Sequence, residues 1–324
     1  MTTPALAARA RGLSTHLIDD DLLLAVERAP DRAALVAALG RAGFAPATLA
    51  GGAPAAVERA IRVRDQAELA LLARWAGDEP GAVAVLADDE DRRTLRTAIR
   101  GVAAHVPSGA RLATAVPTST LPARVVSALG VATSAAEVAD VLTASGHPAA
   151  PVLAPLLVAT PLELLAVEVA LTGWFAERAR HHHPDHALAT HVHQLIDVAN
   201  ASAALLLAVR GRELDAATHF VAGGARVDRA RFLATAGAPA LTAAVTLAPA
   251  FAGTPLAAAL GREGLTKPEA LEQAALQWHL ATQTALRRAE PLGLAPLLWL
   301  VLRRRLEGRR LRRAAWRLAM AGRS

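Results

Sequence analysis

The sequence predicts an all-α protein, and three observations support this prediction. Apolar residues recur with three-and-four spacing along almost the whole chain, as they do on one face of a helix. Alternating apolar and polar runs as long as a strand are missing. Much of the 53% hydrophobic fraction is alanine, the residue with the highest helix propensity, whereas aromatic residues make up 3%. We therefore expect helices joined by loops along the chain.

Acidic residues predict where the first helices begin, because a negative charge complements a helix N-terminus. Asp19, Asp20 and Asp21 precede a helix expected over Leu22–Arg28. These three carboxylates could also bind a metal, but no His, Ser or phosphate loop converges on them, which favours the capping role. Similar acids precede the next apolar stripes: Asp31 before Leu35, Val36 and Leu39; Asp65 before Leu69, Leu72 and Trp75; Asp91 before Leu95, Ala98, Ile99 and Val102.

Glycines predict where the helices end, since glycine readily adopts the backbone conformation that closes a helix. The candidate end points are Gly40 to Gly43, Gly77, Gly101, Gly130, Gly146, Gly211 and Gly293. After the last of these, a long helix is expected from Leu297.

Internal repeats indicate three helical modules of similar build. The apolar pattern that begins at Asp31 recurs at Ser134 and Gly237, with spacings of 103 residues each time. On this alignment Leu35 and Leu39 correspond to Val138 and Leu142, and then to Leu241 and Val245. A second pattern places acids at Asp91, Asp197 and Glu307, separated by 106 and 110 residues. Both periods are close to a third of the chain.

Composition and segment lengths exclude several classes of protein. The 324 residues include no Cys, which excludes disulfide frameworks, zinc ribbons, iron–sulfur clusters and thiol nucleophiles. The apolar stretch Ala149–Ala176 is interrupted by Pro151, Pro155 and Pro161, and Leu292–Leu302 is too short for a span of about 20 residues. No secretory signal pattern occurs at the N-terminus. We expect a soluble, cytoplasmic protein.

Motifs for catalysis or cofactor binding are also missing from the sequence. His181, His182, His183, His186, His191 and His193 are close in sequence, but their spacing fits a solvated loop between helices better than a metal site. No glycine-rich loop ends in Lys-Ser or Lys-Thr, and Lys267, the single lysine, precedes a proline. A Gly-x-Ser-x-Gly elbow does not occur. We expect no catalytic residues, no cofactor and no metal.

The net charge of +6 is concentrated near the C-terminus, on the helix expected from Leu297. Three interpretations stay open for this segment. It could bind nucleic acid, lie on an anionic membrane surface, or pack in the core and present a charged face to acidic partner subunits. The candidate interface residues are Arg303, Arg304, Arg305, Arg309, Arg310, Arg312 and Arg313.

Several segments together resemble the C-type subunit of the prokaryotic V/A-type ATPase (V-type ATP synthase), the counterpart of the eukaryotic d-type subunit. The similarity extends over essentially the whole chain, and the order and spacing of the segments carry it. They are Arg9 to Arg11 before Leu13; Asp91, Thr94 and Leu95 with Arg100; Asp197 and Asn200; Phe220 to Gly224 with Asp228; Glu290 to Gly293; and Glu307 with Arg309 to Arg312.

This resemblance implies a funnel-shaped, all-α protein with approximate internal threefold symmetry, divided into modules 1–108, 109–214 and 215–324. It implies a non-catalytic central-stalk protein that couples the rotor shaft (D- and F-type subunits) to the membrane proteolipid ring for proton or sodium transport. The protein would be a single copy in a hetero-oligomeric complex, cytoplasmic and peripheral to the membrane, with no nucleic-acid partner. The alternative is an Arg-rich helical module that binds nucleic acid or an anionic membrane surface.

Overall fold

The computed structural model describes residues 3–77, 81–118, 120–182, 185–211, 215–263 and 268–321, and every regular element in these ranges is helical. The prediction of an all-α fold is therefore confirmed. In chain order the first α-helices are α1 (Thr3–Ser14), α2 (Asp20–Glu27), α3 (Arg32–Arg41), α4 (Pro54–Ala76), α5 (Gly81–Ala103), α6 (Ser108–Thr114), α7 (Ala123–Val131) and α8 (Ala135–Ala144). They are followed by α9 (Ala150–Leu157), α10 (Leu164–His182), α11 (His186–Arg210), α12 (Arg229–Ala236), α13 (Ala240–Leu247), α14 (Pro255–Glu263), α15 (Pro268–Ala289) and α16 (Ala295–Ala321).

The chain forms two compact units. Unit 1 comprises Met1–His147 and Leu300–Ser324, so most of α16 belongs with the N-terminal helices, and unit 2 comprises Pro148–Trp299. The expected modules 1–108, 109–214 and 215–324 are defined by sequence similarity, and the boundaries between the two units fall inside the second and third of them. The threefold division and the funnel shape therefore stay predictions.

Unit 1 has a core formed by α2, α3, α4 and the C-terminal part of α16. Leu23, Leu35 and Ile61 are fully buried in one cluster, and Leu311 of α16 packs in the same cluster. Asp19 and Asp31 cap α2 and α3, because their side chains accept hydrogen bonds from the N–H groups of Leu22 and Ala34. The capping roles of Asp19 and Asp31 are therefore as predicted, although α2 begins at Asp20, two residues before the expected Leu22.

Two other predicted N-termini are wrong. Asp65 lies in the middle of α4 and Asp91 in the middle of α5. Helix α4 begins at Pro54, whose missing N–H does not weaken a first turn and whose fixed φ favours it. Asp65 pairs with the neighbouring Arg64 of α4, whereas Asp91 has partners from another segment, which are described below.

Unit 2 is organised around α11, which packs against α10, α12, α13 and α15, while α14 packs on α15 and adds to the same core. Phe232, Phe251 and Trp278 are the large side chains of this core. Among the described residues, α11 is the helix whose length and composition would allow it to cross a membrane, with a mean hydropathy of 1.5 in its most apolar window. Since 61% of that window is buried inside the protein, α11 has the burial of a core helix.

Glycines end some of the predicted helices and have another role in others. Gly77 and Gly211 follow α4 and α11 with φ of 61° and 79°, as predicted. Gly101 and Gly130, in contrast, lie inside α5 and α7. A Cβ at Gly130 would be 2.3 Å from the side chain of Leu112, and one at Gly101 would be 2.9 Å from that of Arg111. Glycine at these two positions allows α6 to pack closely.

In the third copy of the short helix pair, the structure aligns the repeat differently from the alignment predicted from the sequence. The N-caps of α3, α8 and α13 are Asp31, Ser134 and Pro239, so the spacings are 103 and 105 residues. Because a residue before proline is disfavoured in the α region, Ala238 cannot start α13. The equivalents of Leu35 and Leu39 are therefore the buried residues Ala243 and Leu247, and Leu241 and Val245 are exposed instead.

The order of elements recurs along the chain. Each of the short helix pairs α2–α3, α7–α8 and α12–α13 is followed later in the chain by a pair of long helices, which are α4–α5, α10–α11 and α15–α16. The short helices α9 and α14 lie between the second and third short pairs and their long pairs. This recurrence fits the predicted three modules of similar build.

Candidate functional site

Arg304 of α16 joins three parts of unit 1. Its Nε donates to Glu68 of α4 at 2.8 Å, its Nη1 donates to Glu307 at 3.0 Å, and its Nη2 donates to the carbonyl oxygen of His16 at 3.1 Å. The side chain is only 10% exposed and the Glu307 side chain is fully buried. Arg304 is therefore part of the interior of unit 1.

Arg305, the next residue, pairs with acids of α5. Its Nη2 lies 2.6 Å from a carboxylate oxygen of Asp89 and donates to Glu90 at 2.7 Å. Asp89 is almost fully buried, and Arg305 is 12% exposed. Arg92, one turn further along α5, also donates two hydrogen bonds to Asp89.

Further arginines of α16 pair with acids of α2 and α4. Arg310 donates two hydrogen bonds of 2.8 Å to Glu27, the fork geometry in which guanidinium and carboxylate match. Arg303 donates to Asp20 at 2.7 Å, and Arg312 donates to Glu58. Arg317 donates to the carbonyl oxygens of Glu27 and Ala29.

These pairs determine the ionisation of the acids. Hydrogen bonds from Arg310 hold the pKa of Glu27 below its usual value. Burial acts to raise the pKa of Glu90, but the positive charges of Arg93 and Arg305 outweigh it and the pKa is lowered. Burial similarly opposes Arg312 and Arg62 at Glu58, and the pKa of that carboxyl is also lowered. At Glu307 burial prevails over Arg304 and Arg64, so the pKa is raised.

The structure thus locates all seven predicted interface arginines. Arg303, Arg304, Arg305, Arg310 and Arg312 form ion pairs within unit 1. Arg309 is partly exposed and Arg313 is exposed. One interpretation of the sequence was that these arginines form a charged outer face. In the structure, acidic residues from distant parts of unit 1 pair with five of the seven.

The three acids of the sequence repeat share one structural role. Asp91, Asp197 and Glu307 are all buried within long helices. Each accepts hydrogen bonds from the segment that leads into a short helix pair. Asp91 accepts from the hydroxyl groups of Thr118 and Thr120, before α7.

Asp197 shows the same arrangement before α12. Its carboxylate accepts from the backbone N–H groups of Ala225, Arg226 and Val227 at 2.9–3.1 Å. Gly224 allows this approach, since a Cβ there would be 2.3 Å from the Asp197 Oδ1 atom. This contact explains why the sequence has glycine at this position.

Glu307 completes the set, because its Oε1 accepts from the N–H of Ile18 at 2.9 Å, just before α2. The acid of the last long helix therefore binds the segment before the first short pair. The sequence spacing indicated that the three acids are equivalent, but their partners could not be found from it.

The histidine-rich segment does not form one cluster in the described residues. His183 and Pro184 lie outside the described residues. His186 pairs with Glu290 at 2.8 Å, and His191 is buried within α11, whereas His193 is exposed. In the described ranges no three His, Asp or Glu side chains converge as a metal site would require.

Two comparisons with known proteins complete the description of the site. The family model described as ATP synthase (C/AC39) subunit matches residues 6–320. No curated protein matches the chain.

Proposed function

The chain belongs to the ATP synthase (C/AC39) subunit family, and from that premise we propose that it connects the rotor shaft to the membrane proteolipid ring. As a member of this family it is a non-catalytic stalk subunit of a V/A-type rotary ATPase, which is a membrane-associated complex. The proposal adds the partners, which are D- and F-type shaft subunits on one side and the proteolipid ring on the other. It also adds a cytoplasmic position peripheral to the membrane.

The observation that carries this proposal is the family match over residues 6–320, almost the whole chain. The structure of unit 1 supports a mechanical role. A part that transmits torque must resist deformation, and a packed helical interior has low compressibility. In addition, Arg304, Arg305 and Arg310 tie α16 to α2, α4 and α5 by ion pairs and hydrogen bonds.

Deletion of the chain from cells that contain the complex tests the proposal. We expect ATP hydrolysis by the catalytic head to persist while ATP-driven ion transport into membrane vesicles is lost, because the two are no longer connected. A tagged wild-type chain should restore transport and purify together with the shaft and ring subunits. Normal ion transport without the chain would contradict the proposal.

The seven arginines of α16 stay the proposed docking segment, but they are not equal candidates. Charge reversal at Arg304 or Arg305 would break buried ion pairs and destabilise unit 1, whatever its effect on docking. Arg313 is exposed and its charge also acts on Glu27 of α2, so Arg313→Glu changes the surface charge without breaking a buried ion pair. The internal pairs also weaken the alternative of nucleic-acid binding, which needs arginines that can meet phosphates.

A further inference from the structure

We propose that the C-terminal end of α16 is a docking surface for an acidic amphipathic helix of another protein chain, anchored by Trp316 and Met320. This proposal rests on the proposed function only in that the protein works within a multi-subunit complex. Trp316 is 54% exposed and Met320 is 60% exposed, although both are large apolar side chains.

Their positions form one face of the helix. Arg309, Arg313, Trp316 and Met320 are separated by four, three and four residues, and residues with this spacing lie above one another on a helix. Trp, Met and Arg are the residue types enriched in protein–protein interfaces relative to the rest of the surface. This face therefore has the composition of an interface, with two apolar anchors at one end and guanidinium groups at the other.

The charge of the segment favours an acidic partner. From residue 308 to residue 321 the chain has no Asp or Glu. Arg310 and Arg312 are neutralised by Glu27 and Glu58, but Arg313 is exposed on the docking face itself. A partner helix with carboxylates beside an apolar stripe would match both the charge and the two anchors.

The burial of α16 argues against a membrane as the occupant. A helix that lies in a bilayer interface must insert a continuous apolar face. The main apolar stripe of α16, formed by Leu311, Ala314, Ala315 and Leu318, is buried in the core of unit 1. Only two large apolar side chains of the described C-terminal turns remain on the outside, which is enough to anchor a helix but too few to form a membrane-binding face.

The docking face is also held in place before any partner binds. Arg317, next to Trp316, donates to the carbonyl oxygens of Glu27 at 3.1 Å and Ala29 at 2.6 Å. Leu318 packs in the core on the opposite side of the helix. A preformed surface loses little conformational entropy on binding, which favours a specific contact.

Photo-crosslinking in the assembled complex tests the proposal. A photoreactive benzoyl-phenylalanine replaces Trp316 in the tagged chain, the ATPase complex is purified and irradiated, and the adduct is mapped by mass spectrometry. We expect an adduct with an acidic segment of another subunit. An adduct with lipid, an adduct with a segment that is not acidic, or no adduct would overturn the proposal. The same photoreactive residue at the exposed Arg124 is the control.

A titration with defined probes separates this proposal from the proposed function, since it needs only the isolated chain. The probes are a 20-residue helical peptide with Leu at heptad positions a and d and Glu elsewhere, its counterpart with Lys, and vesicles containing phosphatidylserine. We expect the wild-type chain to prefer the Glu peptide over the other two probes. Trp316→Ala/Met320→Ala should weaken this binding about tenfold or more.

Two matched variants complete the titration. Arg313→Glu should weaken binding of the Glu peptide, whereas Arg124→Glu, an equal change of net charge at another exposed site, should leave it unchanged. Equal binding by the wild-type chain and the double variant would overturn the proposal, as would a preference for vesicles. If no complex purifies with the tagged chain, the proposed function fails and the titration still decides the docking surface.

Discussion

At Asp65, burial and neighbouring charges act in opposite directions. Burial raises the pKa of this carboxyl to about 6, although Arg64, Arg312 and Arg93 act to lower it, while Glu90 adds to the increase. Asp65 lines a small cavity of about 20 Å³ together with Glu68, Glu90, Arg304 and Arg305. Such a volume holds about one water molecule, too little solvent to offset the burial of another charge.

We predict that Asp65→Asn stabilises the protein at neutral and alkaline pH. An Asp in an unfolded chain titrates near pH 3.9, so folding favours the protonated form of Asp65, and ionisation in the folded state reduces stability as the pH rises from about 4 to about 6. Asparagine avoids this loss. The free energy of unfolding at pH 8 should increase by about 2 kcal/mol.

Chemical denaturation of both proteins between pH 3 and pH 8 measures this difference. The gain should vanish below pH about 4, where Asp65 is protonated in both states. Asp140→Asn, a substitution at an exposed aspartate of α8, is the control and should change stability little at any pH. A gain that is the same at pH 3 and pH 8 would contradict the assigned cause.

At the scale of single elements, the sequence repeat and the structure place different residues of α13 in the core. The repeat found in the sequence places Leu241 and Val245 in the core, whereas the structure buries Ala243 and Leu247. Leu247 is fully buried in the core of unit 2, and Leu241 is 94% exposed.

We therefore predict that Leu247→Ala lowers the free energy of unfolding by about 2–5 kcal/mol, because it removes buried methyl groups and leaves a cavity. Leu241→Ala makes the same chemical change at an exposed position and should have an effect within about 0.5 kcal/mol. Urea denaturation of the two variants measures both values. The opposite order would mean that the register inferred from the sequence repeat is right.

At the scale of the whole molecule, the two ends of the sequence meet in unit 1. Leu311, Ala314, Ala315 and Leu318 of α16 complete the core formed by α2, α3 and α4. The acids Glu27, Glu58, Asp89 and Glu90 find their arginine partners on the same helix. Unit 1 therefore needs residues that lie almost 300 positions apart.

We predict that a chain without residues 300–324 does not form a stable unit 1. The truncation exposes apolar surface of α2–α4, and it removes Arg304 from Glu68 and Arg305 from Asp89 and Glu90. A buried carboxylate that loses its partner destabilises the fold by about 3–5 kcal/mol. Hydrogen exchange should show loss of amide protection in α2–α5. Protection should return when a separate peptide of residues 300–324 is added, and protection that survives the truncation would contradict the prediction.

Several features could be predicted from local sequence because their cause is local. That the chain is helical follows from the spacing of its apolar residues. The caps at Asp19 and Asp31 are local because each side chain accepts a hydrogen bond from an N–H group three residues away. The glycine at Gly77 ends α4 through its own backbone conformation. None of these depends on a distant partner.

Other features required the positions of distant residues. Asp65 and Asp91 resemble helix caps in the sequence, but they lie within α4 and α5, because the helices begin at earlier residues. Asp91 binds threonines 27 and 29 residues away, and Glu307 binds a backbone group 289 residues away. Sequence spacing identified both acids as members of a repeat without identifying their partners.

The all-α fold class follows from local sequence alone, no motif for catalysis occurs in the sequence, and its segments resemble the family to which the chain belongs. The partners of the α16 arginines, in contrast, follow from tertiary contacts that no local pattern predicts. A guanidinium group has the same charge on a surface and in an ion pair, so composition cannot distinguish the two. The fold brings Glu27, Glu68 and Glu90 to α16, neutralises most of its charge, and leaves Arg313, Trp316 and Met320 exposed.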